Sequence, residues 1–251
     1  MLAQLTITKI AAIAGILLIS GLIKGTMGVG LPLIAVPLIS QIESVPIAIT
    51  MLATASVLSN GYQAIRNGEI LPVARRFWPL FIPLVTALFA GARLLVSLDE
   101  KMLGLILGAS LLVFAVVTPF QRRFEIGARH ERVLSPLVGL VAGFLGGVSS
   151  FYGPPLIMYI VALRLPRDFF VSAVSAALLL GGLPLLVSLF VYGIMGRDEF
   201  ILSCLGVIPV FAGLLIGQRV QRRIPQETFR KWLFVILGLI GVSTILHALF
   251  L

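Results

Sequence analysis

The sequence predicts an all-α polytopic membrane protein: two inverted-topology repeats, about eight spanning helices, and two Gly/Pro-broken or re-entrant helical hairpins. Three observations lead there. Hydrophobic residues make up 59% of the 251 and charged residues only 12%, against roughly 25% charge in an average soluble domain. Two apolar segments are too short to cross a bilayer and each follows a glycine-rich break. Finally, the two halves repeat one another.

Apolar segments fall at about 7–24, 31–42, 45–65, 76–97, 101–121, 133–149, 154–164, 168–194, 200–218 and 231–250. A chain of this length holds about eight spans of ~20 residues with short loops and leaves no room for a soluble domain. The first segment, 7–24, has the length of a signal-peptide core, but Lys9 is a thin basic region and no small-x-small site follows, so it is expected to be retained. It runs into Gly21–Ile39, where Gly25, Gly28, Gly30 and Pro32 crowd together. Glycine weakens a helix interior and proline suits the first turn of a new helix, so two helical pieces with exposed backbone between them are expected. At ~1.5 Å per residue, 31–42 does not cross a core of ~30 Å. In lipid such a break is tolerated only where protein or water supplies hydrogen bonds, which marks it as a candidate site. The start of the second piece presents unpaired N–H groups and a positive dipole end, suited to an anion.

Segments 45–65, 76–97 and 101–121 are ordinary spans. The second half then repeats the pattern. Gly21, Leu22, Gly25 and Gly28 recur 118 positions on as Gly139, Leu140, Gly143 and Gly146, and Pro32, Leu33 and Ile34 recur as Pro155, Leu156 and Ile157. Gly68 matches Gly193, Ile82 and Pro83 match Ile208 and Pro209, and Gly91 and Arg93 match Gly217 and Arg219. Residues 1–125 and 126–251 are therefore expected to be two membrane repeats of one integral domain. If each half begins with a hairpin into the membrane, the loops 66–76, 122–132, 164–168 and 219–231 share one side and hold 14 basic residues, against 4 on the other. A parallel arrangement splits them 9 to 9. The positive-inside rule thus favours inverted repeats with both termini outside and both breaks near the midplane, a layout common in secondary transporters. The net charge of +9 is explained by cytoplasmic loops, not by nucleic acid.

The second break, Gly143–Ile160, offers Ser149, Ser150, Tyr152 and Gly153 before Pro154 and Pro155 start the returning piece. The first offers Thr26 and the backbone of Gly28, Val29 and Gly30. Neither contains a carboxylate, thiol or imidazole, a donor set that favours a small oxyanion over a cation or metal, and no cofactor or metal is expected. Lys24 is the only charge this topology puts inside a hydrocarbon segment; its ammonium either reaches a central cavity as a substrate ligand or snorkels to the cytoplasmic side. Asn60 and Gln63 either line the same cavity or bond between helices, at about 1 kcal/mol each. Cys204, in an apolar run, is expected in the core. Arg93, Arg219, Trp78 and Trp232 read as interfacial anchors, His130 as solvated, and His247 as an interface group.

The stretches GLIKGTMGVGLPLIAVPLI, SNGYQAIRNGEI and GLVAGFLGGVSSFYGPPLIMYI resemble the TauE/SafE sulfite exporter family, also called TSUP, over essentially the full length. Lys24 and Pro32 interrupt the longer glycine run that many members carry. The resemblance implies a bacterial inner-membrane transporter of sulfite, sulfoacetate or related organosulfur or organic anions, and export by alternating access around a central site is the expected mechanism. An inside-negative potential favours exit of a monovalent anion by about 2.3 kcal/mol per 100 mV, so export needs no coupled ion. Import needs a proton or sodium, with Glu43 as a candidate carrier on what is expected to be a surface. Two other classes are an intramembrane serine hydrolase using Ser149 or Ser150 with His247, which lacks the Gly-x-Ser-x-Gly context, and a membrane scaffold or channel, which predicts flux without saturation or no flux at all. Membrane lipid and the small anion are the expected partners, and oligomerisation stays open.

Overall fold

A computed structural model describes residues 6–28, 30–67, 70–118, 125–221 and 226–250. Among the described residues the secondary structure is helical throughout, without strands: α1 (Ile7–Met27), α2 (Leu31–Ile39), α3 (Val45–Asn67), α4 (Ile70–Arg76), α5 (Trp78–Ser97), α6 (Glu100–Val117), α7 (Ala128–Ser149), α8 (Gly153–Ala162), α9 (Arg167–Val191), α10 (Arg197–Val220) and α11 (Gln226–Leu249). Seven of these, α1, α3, α5, α6, α7, α9 and α10, contain stretches long and apolar enough to cross a membrane. The helix α11 adds an apolar stretch over Leu233–Leu249. The chain is thus a polytopic helical membrane protein.

All ten expected segments appear as helices, with ends shifted by a few residues. The addition is α4, which folds the basic stretch expected as a loop. Val73 and Phe77 bury one side of it while Arg75 and Arg76 stay outside. One apolar turn within seven residues is too short to stand out as a period. Val29, Gly68 and the basic residues 122–123 and 222–223 lie outside the described residues, as do the side chains of Arg129, Arg167, Arg230, Lys231 and Trp232.

The chain divides into two compact units that interleave along the sequence, a different division from the duplicated halves. The first contains Met1–Ser56, Leu98–Ala115 and Gly193–Leu251; the second contains Val57–Ser97 and Val116–Tyr192.

In the first unit α1 pairs with α10. A methyl group on Gly21 or Gly25 would overlap the carbonyl of Val210 or Leu214, and one on Gly213 or Gly217 would overlap that of Leu18 or Leu22. Residue numbers rise together along the two helices, so they run parallel. Without a hydrophobic drive between helices in lipid, such small-residue faces hold a pair by van der Waals contact at backbone distance. The Thr54 N–H on α3 donates to Ser203 Oγ on α10 at 3.0 Å. The helices α6 and α11 meet antiparallel, with Gly104 against Ala248, Gly108 against Ile245, and Phe114 edge-on to Phe234 with centroids 6.2 Å apart.

The second unit repeats this construction with other helices. Here α5 pairs with α7: Gly139, Gly143 and Gly147 face the carbonyls of Leu80, Leu84 and Leu88, and Gly91 faces that of Phe144. These helices also run parallel. Gly21 and Gly25 thus do in one unit what Gly139 and Gly143 do in the other, and Gly217 answers to Gly91. The duplicated glycines mark the same kind of contact twice. In each unit the two helices of the pair come from different halves of the sequence.

Each short helix folds back on the long one before it. Lys9 Nζ at the start of α1 lies 2.8 Å from Glu43 Oε1, just past α2. In the second unit the Ile126 N–H, just before α7, donates to the Ala162 carbonyl at the end of α8 at 2.9 Å. Both hairpins therefore have their open ends closed by a bond and their breaks at the tip.

Candidate functional site

The first tip is shaped by two glycines. Gly28 takes φ +80° as the left-handed cap of α1, its N–H bonding the Lys24 carbonyl at 2.7 Å. Gly30, at φ +113°, precedes α2, and Pro32 sits in its first turn. A side chain at either glycine would strain the backbone. Lys24, one turn before the break, is 2% exposed, and Thr26 and Gly30 are buried beside it in sequence. A lysine enclosed to this degree is costly in lipid and marks a functional locus by default. The Lys24 side chain lies inside the protein.

The second tip differs in chemistry. Ser150 holds φ +65° where the first tip has Gly28, and its N–H bonds the Gly146 carbonyl at 2.8 Å. Tyr152 precedes α8, and Gly153, Pro154 and Pro155 form that helix's first turn. The Tyr152 ring is buried among glycines: a methyl group on Gly146 or Gly181 would come within 3.1 or 2.6 Å of it. One on Gly182 would lie 3.0 Å from its Oη and 3.8 Å from Asn60 Nδ2, so phenol and amide share one corner of α9. Asn60 is 2% exposed and donates from Nδ2 to the Leu178 carbonyl at 3.2 Å. The bond joins α3 to α9. Gln63 is half-buried.

Lys24, Thr26, Gly28 and Gly30 belong to the first unit; Asn60, Gln63, Ser149, Ser150, Tyr152 and Gly153 belong to the second. Two expected hydroxyl donors are already committed. Thr26 Oγ1 donates to the Ile23 carbonyl at 2.8 Å and Ser149 Oγ to Leu145 at 2.7 Å. Helical hydroxyls in apolar surroundings turn back on the preceding carbonyl in this way.

Sequence reasoning missed Gly181 and Gly182, which admit the Tyr152 ring. The available signal was Gly-Gly-Leu-Pro inside an otherwise apolar segment. It also missed the buried pairs Ser56/Ser59 and Ser172/Ser175, visible as short polar residues three apart in apolar helices.

At the open end of the second hairpin, Arg76 binds Glu131 in a fork, Nε to Oε1 at 3.0 Å and Nη2 to Oε2 at 2.9 Å. Bonding to Glu131 pushes the Arg76 guanidinium above its ordinary pKa. Ser135 Oγ and Tyr159 OH lie 2.6 Å apart.

Arg93, Arg219 and Trp78 are exposed at helix ends, in keeping with interfacial anchoring, and His130 and His247 are exposed as well. Cys204 corrects the expectation of a core position: it is exposed, on the face of α10 that also bares Ile201, Leu205 and Ile208. In lipid an apolar neighbourhood in sequence does not distinguish the buried from the outward face.

Neither a curated protein nor a solved structure matches the chain. The family described as Sulfite exporter TauE/SafE matches over residues 13–244, which takes in both hairpins and both glycine-lined helix pairs. The chain belongs to the TauE/SafE sulfite exporter family of membrane transporters.

Proposed function

We propose that this protein exports a small oxyanion, sulfite, sulfoacetate or a related organosulfur or organic anion, across the inner membrane by alternating access. One observation carries the reading: Lys24, 2% exposed, sits one turn before a left-handed break whose far side opens a new helix. A buried ammonium and uncapped amides form a site for negative charge. The two hairpins are the elements that move, each hinged at its broken tip. The halves 1–125 and 126–251 are the duplicated repeats in opposite orientation, a reading supported by the asymmetric distribution of basic residues.

A membrane potential of 100 mV drives a monovalent anion outward by about 2.3 kcal/mol, or roughly fiftyfold in concentration. No coupled proton or sodium is required. The test is anion flux in proteoliposomes under a set potential, comparing sulfite, sulfoacetate and simple carboxylates. Wild-type protein is expected to carry one of them outward with saturation, and Lys24→Ala to lose at least about tenfold, the equivalent of ~1.4 kcal/mol of binding. Normal transport of every anion by Lys24→Ala overturns the role given to this side chain.

A further inference from the structure

The base of the second hairpin is tied within itself and also to its neighbours. Within the hairpin, the Ile126 N–H bonds the Ala162 carbonyl at 2.9 Å and Arg164 Nη2 lies 3.1 Å from Glu125 Oε2. Tyr159 OH lies 2.6 Å from Ser135 Oγ and donates to the Glu131 carbonyl at 3.2 Å. These contacts make α7 and α8 one block. Outward, the Glu131 carboxylate takes the Arg76 fork from α4. The same guanidinium stands over two rings, 5.4 Å from the centroid of Phe77 and 5.7 Å from that of Phe169 on α9. Phe77 in turn meets the Tyr159 ring edge-on, with centroids 6.5 Å apart. Arg76 thus joins the block to the α4–α5 corner and to α9.

The first hairpin uses the equivalent position differently. Lys9 stands 19 residues before Gly28, the left-handed cap of α1, and Glu131 stands the same 19 before Ser150, the left-handed cap of α7. Lys9 pairs inside its own hairpin, with Glu43. Glu131 carries the opposite charge and pairs outside. One position closes the first hairpin on itself and fastens the second to its surroundings.

The place and geometry of the fork suit release. At ~1.5 Å per residue Glu131 lies about 28 Å from the tip, so a tilt of about 5° there carries it about 2.5 Å. A bidentate fork depends on both distance and direction and is lost over such a step. Water can take over its bonds, because the Arg76 side chain is 41% exposed and that of Glu131 16%.

We propose that the Arg76–Glu131 fork is a releasable latch that holds the second hairpin against the α4–α5 corner and α9, and that its opening lets the α7–α8 block swing about the tip at Ser150. The latch rests on the reading that the hairpins move during transport.

Spin labels at the exposed positions 75 and 132, introduced as Arg75→Cys and Arg132→Cys with Cys204→Ala, report the separation of α4 and α7 in lipid nanodiscs without any anion. With the latch intact, a short distance is expected to dominate. Glu131→Gln is expected to raise the share of a longer distance about tenfold. Raising salt from about 0.1 to about 1 M cuts the screening length from ~10 to ~3 Å, and is expected to lengthen the distance in the intact protein but not in the variant. Arg76→Lys keeps the charge without the fork and decides the matter should Glu131→Gln not fold. Identical distances with and without the fork overturn the proposal.

In proteoliposomes, a short reducible crosslink between Arg76→Cys and Glu131→Cys is expected to lower anion flux at least about tenfold until it is reduced. The same crosslink between Lys9→Cys and Glu43→Cys, inside the first hairpin, is expected to leave flux unchanged. Undiminished flux with the second hairpin fastened overturns the proposal, as does equal inhibition by both crosslinks. A longer distance in Glu131→Gln, with no flux of any anion by wild type, leaves the latch standing and overturns the transport reading instead.

Discussion

Lys9 Nζ and Glu43 Oε1 stand 2.8 Å apart, although α1 and α2 lie between them in sequence. The chain travels the length of α1, turns at Gly28–Gly30, and returns far enough for its two polar ends to touch. In the second unit the backbone bond from Ile126 to Ala162 does the same.

This pairing gives the Glu43 carboxylate a partner at the open end of the first hairpin. Lys9 remains 42% exposed, and an ion pair so solvated contributes at most about 1 kcal/mol. Glu43→Gln is expected to shift the thermal midpoint only slightly and to leave anion flux unchanged from pH 6 to 8. A variant that folds normally but loses a pH-dependent component of flux would make Glu43 a proton carrier after all.

Glycines divide into those that hold the fold and those that do not. Gly25 and Gly143 meet facing carbonyls, whereas Gly15 and Gly238 have nothing within 4 Å of an added methyl. Gly25→Val and Gly143→Val are expected to cost at least ~1–3 kcal/mol through overpacking. Gly15→Ala is expected to be neutral or to stabilise by up to about 1 kcal/mol, since glycine is poor in a helix interior. Thermal unfolding in detergent ranks them, and equal midpoints for Gly25→Val and Gly15→Ala would refute the packing account.

The two tips make opposite predictions for a small substitution. Gly28→Ala places a side chain at φ +80° and is expected to destabilise by about 1–2 kcal/mol. Ser150→Gly relieves the same conformation at φ +65° and is expected to stabilise by a similar or smaller amount. Loss of folded protein on Ser150→Gly would show that its hydroxyl matters more than its backbone.

Asn60→Leu removes the bond to the Leu178 carbonyl and the amide near Tyr152. A cost of about 1 kcal/mol in stability is expected, with flux affected only in proportion to folded protein. Flux abolished at full folded yield would move Asn60 from structural partner to substrate ligand.

Much of this architecture is written locally. Gly25, Gly28, Gly30 and Pro32 break a helix wherever they stand, because backbone freedom and a missing N–H act within one turn; the apolar runs set helix lengths, and the family follows from the same stretches. What sequence does not carry is the choice of neighbour. The stripe Gly21-x-x-x-Gly25 announces close approach, but that it meets Val210 and Leu214 on α10, and not an adjacent helix, depends on surfaces some 190 residues apart along the chain. The same holds for Asn60 finding Leu178, for Tyr152 filling the notch at Gly181, for the commitment of the Thr26 and Ser149 hydroxyls, and for Cys204 facing outward. Helix formation in lipid is satisfied residue by residue through the backbone, whereas burial there is decided by which helix faces come together, and only the folded chain contains that information.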